Sequence, residues 1–160
     1  MLYVLVYQSP LGPLTLTSDG EALTGLRFGL SPETTGETCP ALDRTKRWLD
    51  VYFGGSAPGF TPPLRLSGTP FRQAVWEMLL TVPFGETVTY GELAARLARE
   101  LGVPKMSAQA VGGAVGKNPV AIIVPCHRVI GAGQKLVGYA SGVDKKRALL
   151  ALEGIFIDRL

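Results

Sequence analysis

The sequence predicts an α+β fold, within the broad α/β class. A small N-terminal antiparallel sheet with one helix is followed by a mostly helical C-terminal domain, which carries a helix-turn-helix pair and a cysteine placed by an apolar run. Three observations predict this. Residues 2–28 hold three short segments of alternating character, helix-start signals crowd the chain after residue 68, and a β-branched run between Pro119 and Pro125 leads straight into Cys126 and His127.

Leu2 to Tyr7 alternates around β-branched and aromatic residues, Pro13 to Ser18 alternates Leu with Thr, and Ala22 to Phe28 follows an Asp19-Gly20 turn. Together they read as a three-stranded antiparallel sheet. Gly29 to Pro40 has the Ser, Pro, Thr and Gly content of a loop. Ala41 to Phe53 then sets Leu42, Leu49, Tyr52 and Phe53 on one helical face, with Gly54-Gly55 as the stop. The Pro- and Gly-rich stretch Ser56 to Gly68 reads as a surface linker, dividing an N-terminal domain at 1–60 from a C-terminal domain at 61–160.

Thr69-Pro70-Phe71 is a helix start, with Thr as N-cap, Pro at the first helical position, and Phe71, Val75, Met78 and Leu79 at core spacing as far as about Leu80. Thr89 and Glu92 form a capping box for a second helix, which Gly102 ends. Ser107 caps a third, Ala108 to Lys117, terminated by Asn118-Pro119. The last two read as a helix-turn-helix. Gln109-Ala-Val-Gly-Gly-Ala114 offers small residues, suited either to close approach to a groove with little base reading or to tight packing against another helix. After the Gly131-Ala-Gly133 turn and the Gly138 to Gly142 loop, Ser141 is expected to cap a final helix. Val143, Leu149, Leu150 and Leu152 form its apolar face, and Lys145, Lys146 and Arg147 its solvated one.

A formal charge of +3 and pI near 9.0 permit a polyanionic partner without demanding one. The chain lacks a long apolar span or secretory signal, so the expectation is a soluble cytoplasmic protein with no membrane partner. Two cysteines and one histidine do not make a four-ligand zinc set, so neither metal nor other cofactor is expected. A disulfide is not expected either, and Cys39, beside Pro40 in a polar loop, is given no role.

Val120 to Val124 favours a buried extended segment, and Pro125 biases Val124 towards β geometry, so Cys126 is delivered stiffly from the interior. A buried thiol is inert unless a base or positive charge stands close. His127 and Arg128 follow at once, but adjacent side chains diverge, which favours a bridging water over a protease-type Cys-His dyad. Taken alone, the pair reads as a small core residue and a hydrogen-bonded corner. The longer string Pro125-Cys-His-Arg-Val129, preceded by Asn118-Pro119, resembles the active-site signature of the O6-alkylguanine-DNA alkyltransferases, single-turnover DNA repair proteins. The resemblance spans Thr69 to Gly154, including Phe71-Arg-Gln-Ala-Val-Trp76, Gly85-Glu-Thr-Val-Thr-Tyr90, Ala110-Val-Gly-Gly113 and Gly138-Tyr139. It is looser at Ser9-Pro-Leu-Gly-Pro-Leu14 and Tyr52-Phe-Gly54.

The resemblance implies that Cys126 accepts an alkyl group from O6-alkylguanine in double-stranded DNA, that His127 deprotonates it through a water, and that Glu153 orients the histidine. It implies that Asn118 braces the cysteine turn and Tyr90 offers its hydroxyl to the departing guanine. The backbones of Cys126, Val129 and Ala140, with Tyr139 and Ser141 beside them, would hold a base flipped out of the stack. Gln109, Ala110, Gly112, Gly113 and Arg128 are expected at the DNA surface of a monomer. O4-alkylthymine stays open as a second substrate. Two positions depart from the family pattern: Gln109 stands where an arginine usually fills the gap left by the base, and Ser141 where many members have glycine. Three rivals remain: a lesion-binding relative, which would lack Cys126; a sequence-specific regulator, which the Gly/Ala-rich helix disfavours; and a cysteine hydrolase, which adjacent Cys and His disfavour.

Overall fold

Alternation at the start of the chain produces the expected sheet. In the computed structural model, which describes residues 2–157, β1 (Tyr3–Ser9), β2 (Gly12–Ser18) and β3 (Leu23–Phe28) pair antiparallel in that order. Val6 lies opposite Thr15 and Leu16 opposite Leu26, with a register shift at Thr17/Ser18. Leu14, Leu16 and Leu26 are buried together with Leu42, Trp48, Leu49 and Tyr52 of helix α1 (Pro40–Phe53), whose Trp48 and Tyr52 rings stack at 5.2 Å. Cys39 is the α1 N-cap residue and is buried, with its thiol donating to Ser18 Oγ at 3.4 Å. It therefore belongs to the interior and not to a polar loop.

Two short segments extend the open edge of β3. Leu23 N donates to Pro63 O at 2.7 Å and Arg65 N to Leu23 O at 3.0 Å, so part of the stretch expected as a plain linker is sheet edge. Leu26 N donates to Pro119 O at 3.0 Å and Ala121 N to Leu26 O at 2.9 Å. Each supplies the hydrogen bonds that an edge strand would otherwise leave to water. Of the described residues, 2–67 with 119–121 accordingly make one structural unit, and 68–118 with 122–157 the other.

The second unit is built from α2 (Pro70–Leu79), α3 (Tyr90–Leu101), α4 (Ala108–Val115) and α5 (Val143–Leu152). Thr69 Oγ1 accepts from Arg72 N, Ser107 Oγ from Ala110 N, and both halves of the Thr89/Glu92 capping box are formed. Each such cap is worth roughly 0.5–2 kcal/mol. Gly102, at φ 68°, closes α3 in the left-handed conformation. Trp76 on α2 is buried and donates its indole N–H to Ala114 O of α4 at 2.9 Å. A Cβ at residue 68 would lie 2.5 Å from that ring, so the start of α2 requires glycine there.

Two short strands, β4 (Val88–Thr89) and β5 (Val129–Ile130), pair in parallel, Val88 opposite Val129 and Thr89 opposite Ile130. Tyr90 follows β4 and Arg128 precedes β5, so this pairing brings the start of α3 beside the Cys126 segment.

Candidate active site

Val120, Ile122, Ile123 and Val124 are buried, as their composition requires, but they are not a strand. Only Val120 makes a bridge, residues 121–123 turn, and Ile122 adopts φ 71°, a left-handed conformation that β-branched residues rarely take. The physical reason is the hydrogen bonding. Asn118 Nδ2 donates to Val124 O at 2.8 Å, taking the place of a ladder partner and folding the run back on itself. Cys126 then opens a 3-10 turn, Cys126–Arg128, in which Arg128 N donates to Pro125 O at 3.0 Å.

His127 is completely buried and its Nε2 lies 2.6 Å from Glu153 Oε2. Burial lowers the imidazole's pKa against the raising effect of Glu153, so the ring is neutral and donates Nε2–H to the carboxylate. Glu153 caps the C-terminus of α5 and is buried. It also accepts from Arg128 Nε at 2.8 Å, Arg128 Nη2 at 3.2 Å and Gly85 N at 2.9 Å. Burial alone would push the carboxyl up; His127, Arg128 and the Gly85 amide overcome it and hold it well below the usual carboxylate range.

Arg128 was expected at the DNA surface and is instead 7% exposed, spent on Glu153 and on Val82 O, to which Nη1 donates at 2.7 Å. A carboxylate made buried and anionic by its histidine needs that cation, which is why the side chain turns inward.

Cys126 is 8% exposed. Burial raises its pKa, and hydrogen bonds from Asn118 and Tyr139 and the charge of Lys146 offset only part of that rise. Tyr90 is partly buried, and its hydroxyl donates to Val137 O at 3.3 Å. Burial raises the phenol's pKa and the neighbouring Cys126 adds to this. Val129 is buried directly after the turn, while Tyr139, Ala140 and Ser141 form a reverse turn in which Gly142 N donates to Tyr139 O at 2.9 Å. Ser141 does not cap α5. Gly142 is the N-cap residue, at φ 102°, and no side chain caps this helix.

On α4, Val111, Ala114 and Val115 face the interior while Gln109, Ala110 and Gly113 are exposed. A Cβ at 113 would meet nothing within 4 Å, and one at 112 would sit 3.6 Å from the Tyr90 ring. Tight helix packing therefore does not explain Gly113. Gly112 lies against Tyr90.

Lys146 is the residue that sequence reasoning missed. It was assigned to a solvated face, yet it is fully buried, with Nζ donating to Val137 O at 3.0 Å and Gly138 O at 3.1 Å. A signal was present: with Val143 and Leu150 it stands at i, i+3 and i+7, the spacing of the buried stripe.

Against known proteins, residues 70–155 match the family described as 6-O-methylguanine DNA methyltransferase, DNA binding domain, and residues 2–66 the one described as 6-O-methylguanine DNA methyltransferase, ribonuclease-like domain. A methylated-DNA–protein-cysteine methyltransferase of Mycobacterium tuberculosis is 47% identical over 96% of this chain and 93% of its own length. One from Methanosarcina acetivorans is 44% identical over 96% and 99%. Among solved structures, Mycobacterium tuberculosis OGT in complex with DNA is similar at a TM-score of 0.80 and 46% identity, covering 94% of this chain and 92% of that one.

Proposed function

The chain belongs to the 6-O-methylguanine DNA methyltransferase family, whose activity is direct transfer of an alkyl group from DNA to a protein cysteine, and from that premise we propose that Cys126 is the acceptor in this chain. The observation that carries the assignment is a buried Cys126 in the same 3-10 turn as a neutral His127, whose imidazole is fixed on an anionic Glu153. With Nε2 committed to Glu153, Nδ1 is the nitrogen that takes the thiol proton through a water. The thiolate attacks the alkyl carbon, a C–S bond forms as the C–O6 bond breaks, and the electron pair leaves on the guanine, where the Tyr90 hydroxyl supplies a proton. The product is a thioether. Unlike a thioester it offers no carbonyl for water to attack, so each molecule reacts once.

The O6 substituent lies within the base stack, so the nucleotide must be extruded before a buried cysteine reaches it. The exposed α4 face of Gln109, Ala110 and Gly113 suits close approach to DNA, with Gln109 filling the vacated space. The backbones of Cys126, Val129 and Ala140, beside Tyr139 and Ser141, hold the base, and Asn118 braces the turn through Val124 O. A free reactive thiol fits a reducing compartment, in keeping with a monomer acting in the cytoplasm. No helix among the described residues is long and apolar enough to cross a membrane.

The test is intact-protein mass after mixing with duplex DNA containing O6-methylguanine. One methyl group per molecule, located at Cys126, is expected; none, or several, overturns the reading.

A further inference from the structure

Helix α1 buries Leu42, Thr45, Trp48, Leu49 and Tyr52 and leaves Arg44, Arg47 and Val51 exposed, at i, i+3 and i+7 along one outward stripe. Both acids of the helix are engaged elsewhere. Asp43 accepts from the Thr38 hydroxyl at 2.8 Å and lies 3.7 Å from Lys46 Nζ, and Asp50 accepts from the Tyr7 hydroxyl at 2.5 Å. Among the described residues, neither Arg44 nor Arg47 enters an ion pair. Two guanidiniums one turn apart therefore add their charges with no anion between them.

The chain then returns to this pair. Gly55 N donates to Tyr52 O at 2.9 Å and Ser56 N to Val51 O at 3.3 Å, which closes α1. Further on, Pro62 is buried and Pro63 O accepts from Leu23 N at 2.7 Å, so the backbone is fixed to the sheet directly after Thr61. Between these two anchors Phe60 and Thr61 come back over the helix, and with Arg44 and Arg47 they line one cavity of about 320 Å³. Phe60 is 40% exposed there, whereas the Trp48 and Tyr52 rings of α1 are buried. Its ring is left open to a ligand.

Each guanidinium offers a planar fork of donors that fits two oxygens of a phosphate, and the pair does so with two positive charges. Phe60 adds an aromatic face of the kind on which a nucleobase stacks, whatever its identity. The cations alone would suit any anion; the ring beside them narrows the ligand to one that carries a phosphate and a flat ring together. The Thr61 hydroxyl can serve a sugar or phosphate oxygen. The cavity lies at the small end of the roughly 300–1,000 Å³ range of ligand sites, which suits a single nucleotide. A duplex hides its base faces in the stack, so the nucleotide must be unpaired.

We propose that Arg44, Arg47, Phe60 and Thr61 form a nucleotide site, in which the two arginines take the phosphate and Phe60 takes the base. The site lies wholly in the first structural unit and does not depend on Cys126 being the alkyl acceptor. Two sources can supply its ligand, a free nucleotide or an unpaired strand of nucleic acid.

The test is an amide NMR titration of the whole chain with deoxyadenosine monophosphate, deoxyadenosine, inorganic phosphate, a short oligodeoxyadenylate and an undamaged duplex. Adenine is used because the pocket beside Cys126 is assigned to guanine. The monophosphate is expected to shift the signals of Arg44, Arg47, Phe60 and Thr61, and to bind about tenfold more tightly than the nucleoside or phosphate, since each of these lacks either the charge or the stacked base. Inorganic phosphate binding as tightly as the nucleotide would mean a non-specific anion patch and overturns the proposal, as do duplex shifts at these residues equal to those of the single strand. Phe60→Ala and the double change Arg44→Gln, Arg47→Gln are each expected to weaken the monophosphate about tenfold, with Phe60→Tyr keeping the natural affinity. Unchanged binding in folded Phe60→Ala, or in the double variant, overturns the proposal. The oligomer decides the source: binding tighter than the monophosphate assigns the site to an unpaired strand, and equal or weaker binding to a free nucleotide. Signals that move at these residues with protein concentration alone would give the face to a second copy of the chain and overturn the proposal as well.

Discussion

Arg128 and Glu153 meet through two hydrogen bonds, Nε to Oε1 at 2.8 Å and Nη2 to Oε2 at 3.2 Å, with both side chains out of solvent. The carboxylate that orients the histidine is thus also the one that neutralises a buried guanidinium. Removing it costs twice. Glu153→Ala leaves Arg128 buried without its anion, and urea unfolding is expected to show a loss of about 3–5 kcal/mol. His127→Ala, which leaves the Arg128–Glu153 pair intact, should lose clearly less. Equal losses would show that the ion pair is not what makes Glu153 expensive to remove.

The same network sets the behaviour in acid. Glu153 has a depressed pKa in the folded chain, so its contribution is present above the unfolded carboxylate value and is lost as pH falls through the folded one. His127 is depressed as well, so the unfolded chain binds a proton near its ordinary value of about 6.5 before the folded chain does, and stability falls with falling pH from there. Both slopes have the same sign. Thermal melts of the natural chain and Glu153→Gln from pH 7 to 3 should converge as pH drops; parallel curves would count against a titrating Glu153.

Cys126→Ser is expected to abolish methyl transfer while leaving affinity for O6-methylguanine DNA largely intact, because the serine hydroxyl is similar in size and far harder to ionise. Band-shift titration and intact mass on the same sample check both halves. Transfer by the serine variant would remove Cys126 from its role.

Gln109 is exposed on α4 and is the clearest departure from the family's usual arginine at this position. Gln109→Arg adds a cation that would enter negative groove potential, so it should tighten duplex binding and steepen the dependence of log affinity on log salt by up to ~0.9. Gln109→Ala should slow transfer from duplex DNA far more than reaction with free O6-benzylguanine, which needs no extrusion. Equal slowing on both substrates would assign Gln109 to the fold or the pocket.

Where sequence and structure agree, a local rule suffices. Thr89 and Glu92 satisfy each other's backbone donors within one turn, and the Leu and Thr alternation of β2 carries its own period, so both were legible. The disagreements come from partners distant in sequence. Val120 to Val124 has strand composition, yet Asn118 takes the Val124 carbonyl and β3 takes the backbone at Val120, which leaves no room for a ladder. Arg128 turns inward because of Glu153, and Lys146 because of two carbonyls in a loop whose path no propensity specifies. At the candidate site, Cys126 and His127 are legible in a motif and Glu153 only through the family resemblance, whereas the electrostatic setting around them is visible only with the chain folded.

The edge of β3 has a consequence for how the protein is made. Leu26 waits to donate its N–H to Pro119 O and to accept from Ala121 N, and both partners emerge from a ribosome only after α1 to α4 have been synthesised. The N-terminal sheet can collapse early and Pro63 and Arg65 can pair with Leu23, but the Leu26 end of β3 stays unpaired through much of translation, and an unpaired edge invites pairing with another nascent chain. A fragment cut after Ser67 would carry that exposure permanently. Its solubility is therefore a poor guide to the sheet's own worth in the full-length chain.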